Sequence, residues 1–206
     1  MEEIRAELTL LNLLRRVFLR EPEMDFLEGI GVVVIPSDEN EESGGFTTLI
    51  ESVRKNRSRL AEWQNELSFE FARLFIGPVH IPAVPFASFY LSETRSLMTE
   101  ETMAVRKQYL EAGLALKNLY QMPDDHIAIE LDFLHYLTGR SIELIKNGES
   151  FAAEKYLKLR HDFLMDHFSL WAPAFADRIL QSTNEDYFKG AASLLLEMLK
   201  YYAQDN

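Results

Sequence analysis

The sequence predicts an all-α protein, and three observations carry that prediction. Apolar residues recur at helical spacing through most of the chain, and glycine, proline and asparagine signals separate one stripe from the next. No alternating apolar run finds a second one to pair with in a sheet. The expected architecture is a single-domain multi-helix bundle of about eight to ten helices with a proline-rich loop in the middle. One domain spanning residues 1–206 is expected, any subdivision falling near 92–98.

Ile4, Leu8, Leu11, Leu14 and Phe18 step by four, three, three and four residues, which predicts a first helix with one buried face. The same helix carries Arg15-Arg16-Val17-Phe18-Leu19-Arg20, the residue order of a twin-arginine export signal. An export signal needs an apolar run of roughly 7–15 residues after its basic part. Here Glu21, Pro22, Glu23, Asp25 and Glu28 interrupt it, so a buried-face helix is expected rather than a signal-bearing precursor. Residues 26–46 are the least patterned. Val32 to Ile35 reads as an extended or loop segment, since a strand would lack a partner, and residues 37–45 read as a polar, glycine-ended loop.

Leu49, Ile50, Val53 and Leu60 resume a helical stripe that Trp63, Leu67, Phe71 and Leu74 continue until Gly77-Pro78 stops it. "GPVHIPAVPF" then carries Pro78, Pro82 and Pro85, which rules out an ordinary helix. Helix signals return after Thr99, with Glu100 and Glu101 in a favourable first turn and Val105, Tyr109 and Leu116 following. Pro123-Asp124-Asp125 is expected to open a helix that Asn147-Gly148 closes, with an aspartate accepting from first-turn amides. Ser150 is expected to cap the next, which reaches toward Asp166-His167; Pro173 punctuates a link, and Tyr187 to Tyr202 forms a last amphipathic helix.

Composition narrows function. The formal net charge of −12 argues against sequence-independent nucleic-acid binding, which needs a basic face, and suits a positively charged partner. No apolar run approaches the roughly 18 residues of a membrane span, so no stable membrane insertion is expected. Zero cysteines exclude disulfides, thiolate metal sites and cysteine nucleophiles, and a cytoplasmic protein is the default reading.

The densest polar cluster is "PDDHIAIELDFLHYL", residues 123–137, with Asp124, Asp125, His126, Glu130, Asp132 and His135. On a helix, His126 and Glu130 share one face and Asp132 and His135 another, a poor metal cage. A carboxylate-bridged di-iron bundle wants two Glu-x-x-His helices, and only Asp132-x-x-His135 is present. His161-Asp162 is an adjacent pair of the kind used by metal-dependent phosphohydrolases, without a second matching motif. Gly29-Ile30-Gly31 lacks the third glycine of a dinucleotide loop, and no phosphate loop or serine elbow occurs. Ser88, His126 and Asp125 make a poor triad, because adjacent residues do not face each other as base and orienter. Neither catalysis nor a bound metal or cofactor is expected. Binding remains, with Ile81, Val84, Phe86, Phe89 and Tyr90 in or beside the proline loop as the walls of an apolar groove.

Three segments resemble one family. "EFARLFIGPVHIPAVPFASFYL" (70–91) is similar to the first motif of the TorD/DmsD redox-enzyme maturation chaperones, through Glu70, Phe71, Arg73, Leu74, Phe75, Gly77, Pro78, Pro85, Phe86, Ser88 and Tyr90. "MPDDHIAIELDFLHYL" (122–137) resembles the second, and "FLMDHFSLWAPAF" (163–175) a third, a His followed four residues later by Trp. "YLEAGL" (109–114) looks like the family's Tyr-x-x-x-Gly approach, while Ala87 stands where many members have an acidic residue. The resemblance implies a non-catalytic cytoplasmic chaperone. Its partners would be the twin-arginine signal peptide and the apo form of a molybdoenzyme catalytic subunit. Independently of the resemblance, a monomer or domain-swapped homodimer is expected, since a flexible loop can act as the hinge for helix exchange. The chaperone would hold the subunit for cofactor insertion and assembly before export. On that reading Leu74, Phe75, Pro85, Phe86, Ser88 and Tyr90 contact the peptide, and Asp124, Asp125 and His126 meet its polar end as an open carboxylate cluster. His126 then becomes a candidate pH switch near neutrality, and Arg15-Arg16 a segment able to occupy the same site in a neighbouring copy. The alternatives are an all-α metal-dependent phosphohydrolase using His126, Glu130, His161 and Asp162, or a structural assembly subunit of a redox complex.

Overall fold

The computed structural model describes residues 2–35, 44–78, 80–115 and 122–204. Among them the architecture is all-α, as expected, with ten α-helices and an isolated bridge in place of any strand. The helices are α1 (Glu2–Leu19), α2 (Met24–Gly31), α3 (Gly45–Lys55), α4 (Leu60–Phe71), α5 (Ala87–Leu91), α6 (Glu100–Glu111), α7 (Ile127–Lys146), α8 (Ser150–Phe163), α9 (Ser169–Ser182) and α10 (Asp186–Gln204). The expected polar loop at 37–43 and helix end at Leu116 lie outside the described residues. The chain divides into two compact units, each of two stretches: Met1–Leu19 with Pro85–Ala172, and Arg20–Val84 with Pro173–Asn206.

In the first unit, α7 is the central element, contacting both α1 and α8. Ile127, Ala128, Leu131, Phe133, Leu134, Leu137 and Leu144 are buried, more of its circumference than one stripe, which suits a helix covered by several neighbours. α1 meets it through the later part of the predicted stripe, with Leu11, Leu14 and Phe18 buried and Leu8 half-buried, and Val17, off the stripe, is buried as well. Arg15 ties the two helices from outside, donating to Asp132 at 2.9 Å. Arg160 of α8 bonds both Glu7 of α1 and Thr138 of α7. Because Val17 and Phe18 are core residues, the Arg15-Arg16 segment cannot be offered to a neighbouring copy without dislodging α1, which removes that expectation.

The second unit is organised by α3 on α10. Their backbones touch at two glycines. A Cβ on Gly190 would lie 2.5 Å from the Leu49 nitrogen, and one on Gly45 would lie 2.2 Å from the Leu194 nitrogen. Glu197 of α10 accepts from the Gly45 N–H at 2.8 Å, satisfying an amide that α3 leaves open at its start. The stripe from Leu49 to Leu74 is two helices rather than one. Asn56 closes α3 by donating to the Ser52 carbonyl, and a 3-10 turn at Arg57–Arg59 precedes α4. α4 runs into a π turn, Ala72–Ile76, which ends at Gly77 with φ +34°, a conformation that favours glycine. The proline loop then folds back, Ala83 donating to the Leu74 carbonyl.

Two short helices, α2 and α5, carry no stripe long enough to be read from sequence. Ser150 is the first residue of α8 rather than its cap. The expected link at Pro173 is not there: Pro173 lies inside α9, four residues after Ser169. Its ring suits helical φ but removes the amide that would bond Ser169 and crowds that carbonyl, and the π turn Leu164–Phe168 lies immediately before α9.

Replacing Gly190 by Ala should lower unfolding stability by about 1–3 kcal/mol, since the added methyl meets backbone that cannot rotate away. Gly139→Ala, whose Cβ would be 4.0 Å from the nearest side chain, should be neutral or slightly stabilising. Urea midpoints at unchanged slope measure both.

Candidate functional site

The proline loop and the stretch before α7 are joined by backbone. Phe86 and His126 form an isolated antiparallel bridge. Ala87 N–H donates to the Asp125 carbonyl at 3.0 Å, and Ile127 N–H to the Pro85 carbonyl at 2.9 Å. The Phe86 ring and the His126 imidazole meet edge-on with centroids 5.1 Å apart. The first and second motifs thus form one clasp, although 37 residues separate Ser88 from Asp125.

Within the clasp, Asp124, Asp125 and His126 have structural partners. The Asp125 Oδ2 accepts from Ser88 N–H at 2.8 Å and caps α5, not the helix it precedes. That helix is capped by His126, whose Nδ1 accepts from Ala128 N–H at 3.1 Å. The ring proton therefore sits on Nε2. Burial pushes His126 down to about 4, so its charge does not change near neutral pH, contrary to the switch expected from sequence. Asp124 takes a two-point fork from Arg106, Nε at 2.5 Å and Nη2 at 3.0 Å, and its carbonyl accepts from the Tyr109 hydroxyl at 2.8 Å. Burial and the surrounding carboxylates hold that phenol well above its ordinary value. The open carboxylate cluster is thus not observed: Asp124 and Asp125 are buried, because the chain uses them to bind α5 and α6.

A second buried network lies one turn along α7. Glu130 Oε1 contacts His167 Nε2 at 2.8 Å, and its Oε2 accepts from Trp171 Nε1 at 3.0 Å. Burial raises Glu130 to about 7; burial opposes His167's charge, but Glu130 outweighs it and raises the imidazole. A carboxyl and an imidazole facing each other in this way supply the pairing that a buried charge needs. Trp171 in turn lies against Tyr90, centroids 5.5 Å apart.

Phe86, Phe89 and Tyr90 are half-buried, the Tyr90 hydroxyl turned inward, whereas Pro85 and Ser88 are buried. Leu74 and Phe75 belong to the second unit and are buried in its own aromatic core, Phe75 packing on Phe71, Phe175 and Phe188. They shape that core rather than offer surface. The phosphohydrolase candidates are engaged separately: His126 and Glu130 as above, Asp162 with Lys158, and His161 exposed. Among the described residues, no three His, Asp or Glu side chains are placed to hold a metal. No helix there is long and apolar enough to cross a membrane. Sequence reasoning missed Arg106 and the joining of Glu130 to His167 and Trp171. A buried-face Glu on α7 and the His-x-x-x-Trp spacing were the available signals for the second.

Relative to a His126→Asn variant, which caps without titrating, the wild type should lose about 2 kcal/mol of stability between pH 7 and pH 5. The lowered folded value lets the unfolded chain bind the extra proton in that window, so stability falls with pH. Paired urea titrations at each pH measure it.

The family described as nitrate reductase delta subunit matches residues 39–177. A chaperone protein TorD of Vibrio parahaemolyticus is 29% identical over 176 residues, 85% of this chain and 77% of that protein. A protein assigned as a Tat proofreading chaperone, DmsD, of Haemophilus influenzae is 26% identical over 142 residues, 69% of this chain and 63% of that protein. Among solved structures, one assigned as a redox enzyme maturation protein from Archaeoglobus fulgidus superposes with a TM-score of 0.58 at 20% identity, over 93% of each chain, which shows the shared fold. The chain belongs to the nitrate reductase delta subunit family, that of the TorD and DmsD chaperones, which are not enzymes.

Proposed function

We propose that this chain is a cytoplasmic chaperone that binds the twin-arginine signal peptide of a molybdenum-containing oxidoreductase subunit and holds that subunit for cofactor insertion before export. The observation that carries the reading is the clasp: two distant motifs meet through backbone, with the partly exposed aromatic residues Phe86, Phe89 and Tyr90 on it. The relatives' names, chaperone TorD and Tat proofreading chaperone, support it.

A signal peptide offers a basic head and an apolar body. The net charge of −12 favours encounter with the head. Apolar burial against Phe86, Phe89 and Tyr90, at roughly 25 cal/mol per Å2, supplies most of the affinity. Pro85, Ser88, Asp125 and His126 act by holding those rings in place. The family's description favours a second reading, a subunit that remains in the assembled complex. Permanent co-purification with the mature oxidoreductase would favour that reading over a chaperone.

A fluorescent peptide with an Arg-Arg head and apolar body should bind the full chain, with anisotropy as the measurement. Phe86→Ala and Tyr90→Ala should each weaken it about tenfold, near 1.4 kcal/mol. Phe151→Ala, which removes an 89% exposed ring on α8, should change nothing. Absence of binding by the wild type would sink the proposal.

A further inference from the structure

Asp124 is 1% exposed, yet its carboxylate is held by a side chain that is 23% exposed, the guanidinium of Arg106. Both oxygens are occupied, in the planar two-point geometry that arginine alone among side chains provides. The carboxylates around it have partners of other kinds. Asp125 Oδ2 accepts from a backbone amide, its Oδ1 has no hydrogen-bond partner, and Glu130 faces His167 at 2.8 Å. Withdrawing Arg106 would leave a second buried carboxylate without a cation, which is strongly destabilising. The pair can open only against another cation.

The helix that carries Arg106 is held from outside itself. α6 buries only Thr102, Val105 and Tyr109, so few apolar contacts hold it. The chain enters α6 through Arg95 and Met98, at φ +52° and +58°, left-handed conformations that cost a non-glycine residue of order 1 kcal/mol each. α6 is joined to its surroundings by its contact with α5, the Arg106 fork, the Tyr109 hydroxyl on the Asp124 carbonyl and the Tyr109 ring against Phe133 and Phe163. Strain at the entry of α6 and a partly exposed arginine side chain set this contact apart from the fully buried ones around it.

Asp124 is two residues from His126 and its bridge to Phe86. Resting on the signal-peptide reading above, we propose that Arg106 is the resident occupant of an arginine subsite at Asp124. An arginine of the bound peptide displaces it, and this exchange makes the protein select Arg over Lys in the peptide head. A lysine supplies charge but not the fork, so it cannot replace both bonds. The latch also keeps the empty site closed to uncharged apolar segments, because none of them can neutralise the carboxylate.

The test uses the full chain, fluorescence anisotropy, and two peptides identical except for an Arg-Arg or Lys-Lys head. Arg106→Lys preserves the internal charge but weakens its grip on Asp124. It should bind the Arg-Arg peptide five- to tenfold tighter and the Lys-Lys peptide less than twofold tighter. Asp124→Asn should bring the ratio of the two affinities to about one while the apolar body still binds. Arg106→Lys leaving that ratio unchanged, or Asp124→Asn keeping the wild-type preference, overturns the exchange while the signal-peptide function stands. A wild type that binds neither peptide overturns both.

Discussion

The first unit depends on two irregular stretches satisfying each other's backbone. Every helix begins with amides that have no partner inside it. Here the amide of Ile127 at the start of α7 finds the Pro85 carbonyl, and Ala87 and Ser88 at the start of α5 find the Asp125 carbonyl and carboxylate. Five residues are too few to sustain a helix alone, so α5 exists because the stretch before α7 holds it. Phe89 and Tyr90 ride on that helix. Prolines on one side and the Pro123 turn on the other keep both stretches extended where they meet.

Charge is arranged in two layers. The chain carries 33 acidic against 21 basic side chains, yet the carboxylates of the clasp lie inside, each bound by its own partner, Asp125 through one oxygen alone. Asp124 has a guanidinium, Asp125 a backbone amide, and Glu130 an imidazole and an indole. The acidic field therefore comes from the outer layer, while the inner one fixes the positions of α5, α6 and the π turn before α9. Buried polar contacts of this kind add little net stability, but each accepts only one geometry.

Long stripes made helices legible, as in α1 and α10, but not always their limits: the stripe from Leu49 to Leu74 is two helices, and α7 begins at Ile127 rather than at the Pro123 turn. The fold was not legible at α2, eight residues with glycines at 29 and 31, nor at Pro173, where a residue that usually ends a helix follows a π turn. The site's location was legible through its motifs; its electrostatics were not. Sequence spacing places Asp124 and Asp125 where they would cap their own helix, and only the fold reveals that one caps α5 and the other binds Arg106, 18 residues earlier. Local pattern predicts local partners. The partners that matter here are long-range.

The two tryptophans fall one in each unit, Trp171 in the first and Trp63 in the second. Both indoles are buried and donate to carboxylates, Trp171 to Glu130 and Trp63 to Glu185. Trp171 also touches the Tyr90 ring of the clasp, while Trp63 packs on Tyr187. The protein thus carries two built-in optical probes. Changing one indole to phenylalanine leaves emission that reports on a single unit, so events in either half can be watched in the otherwise unlabelled chain.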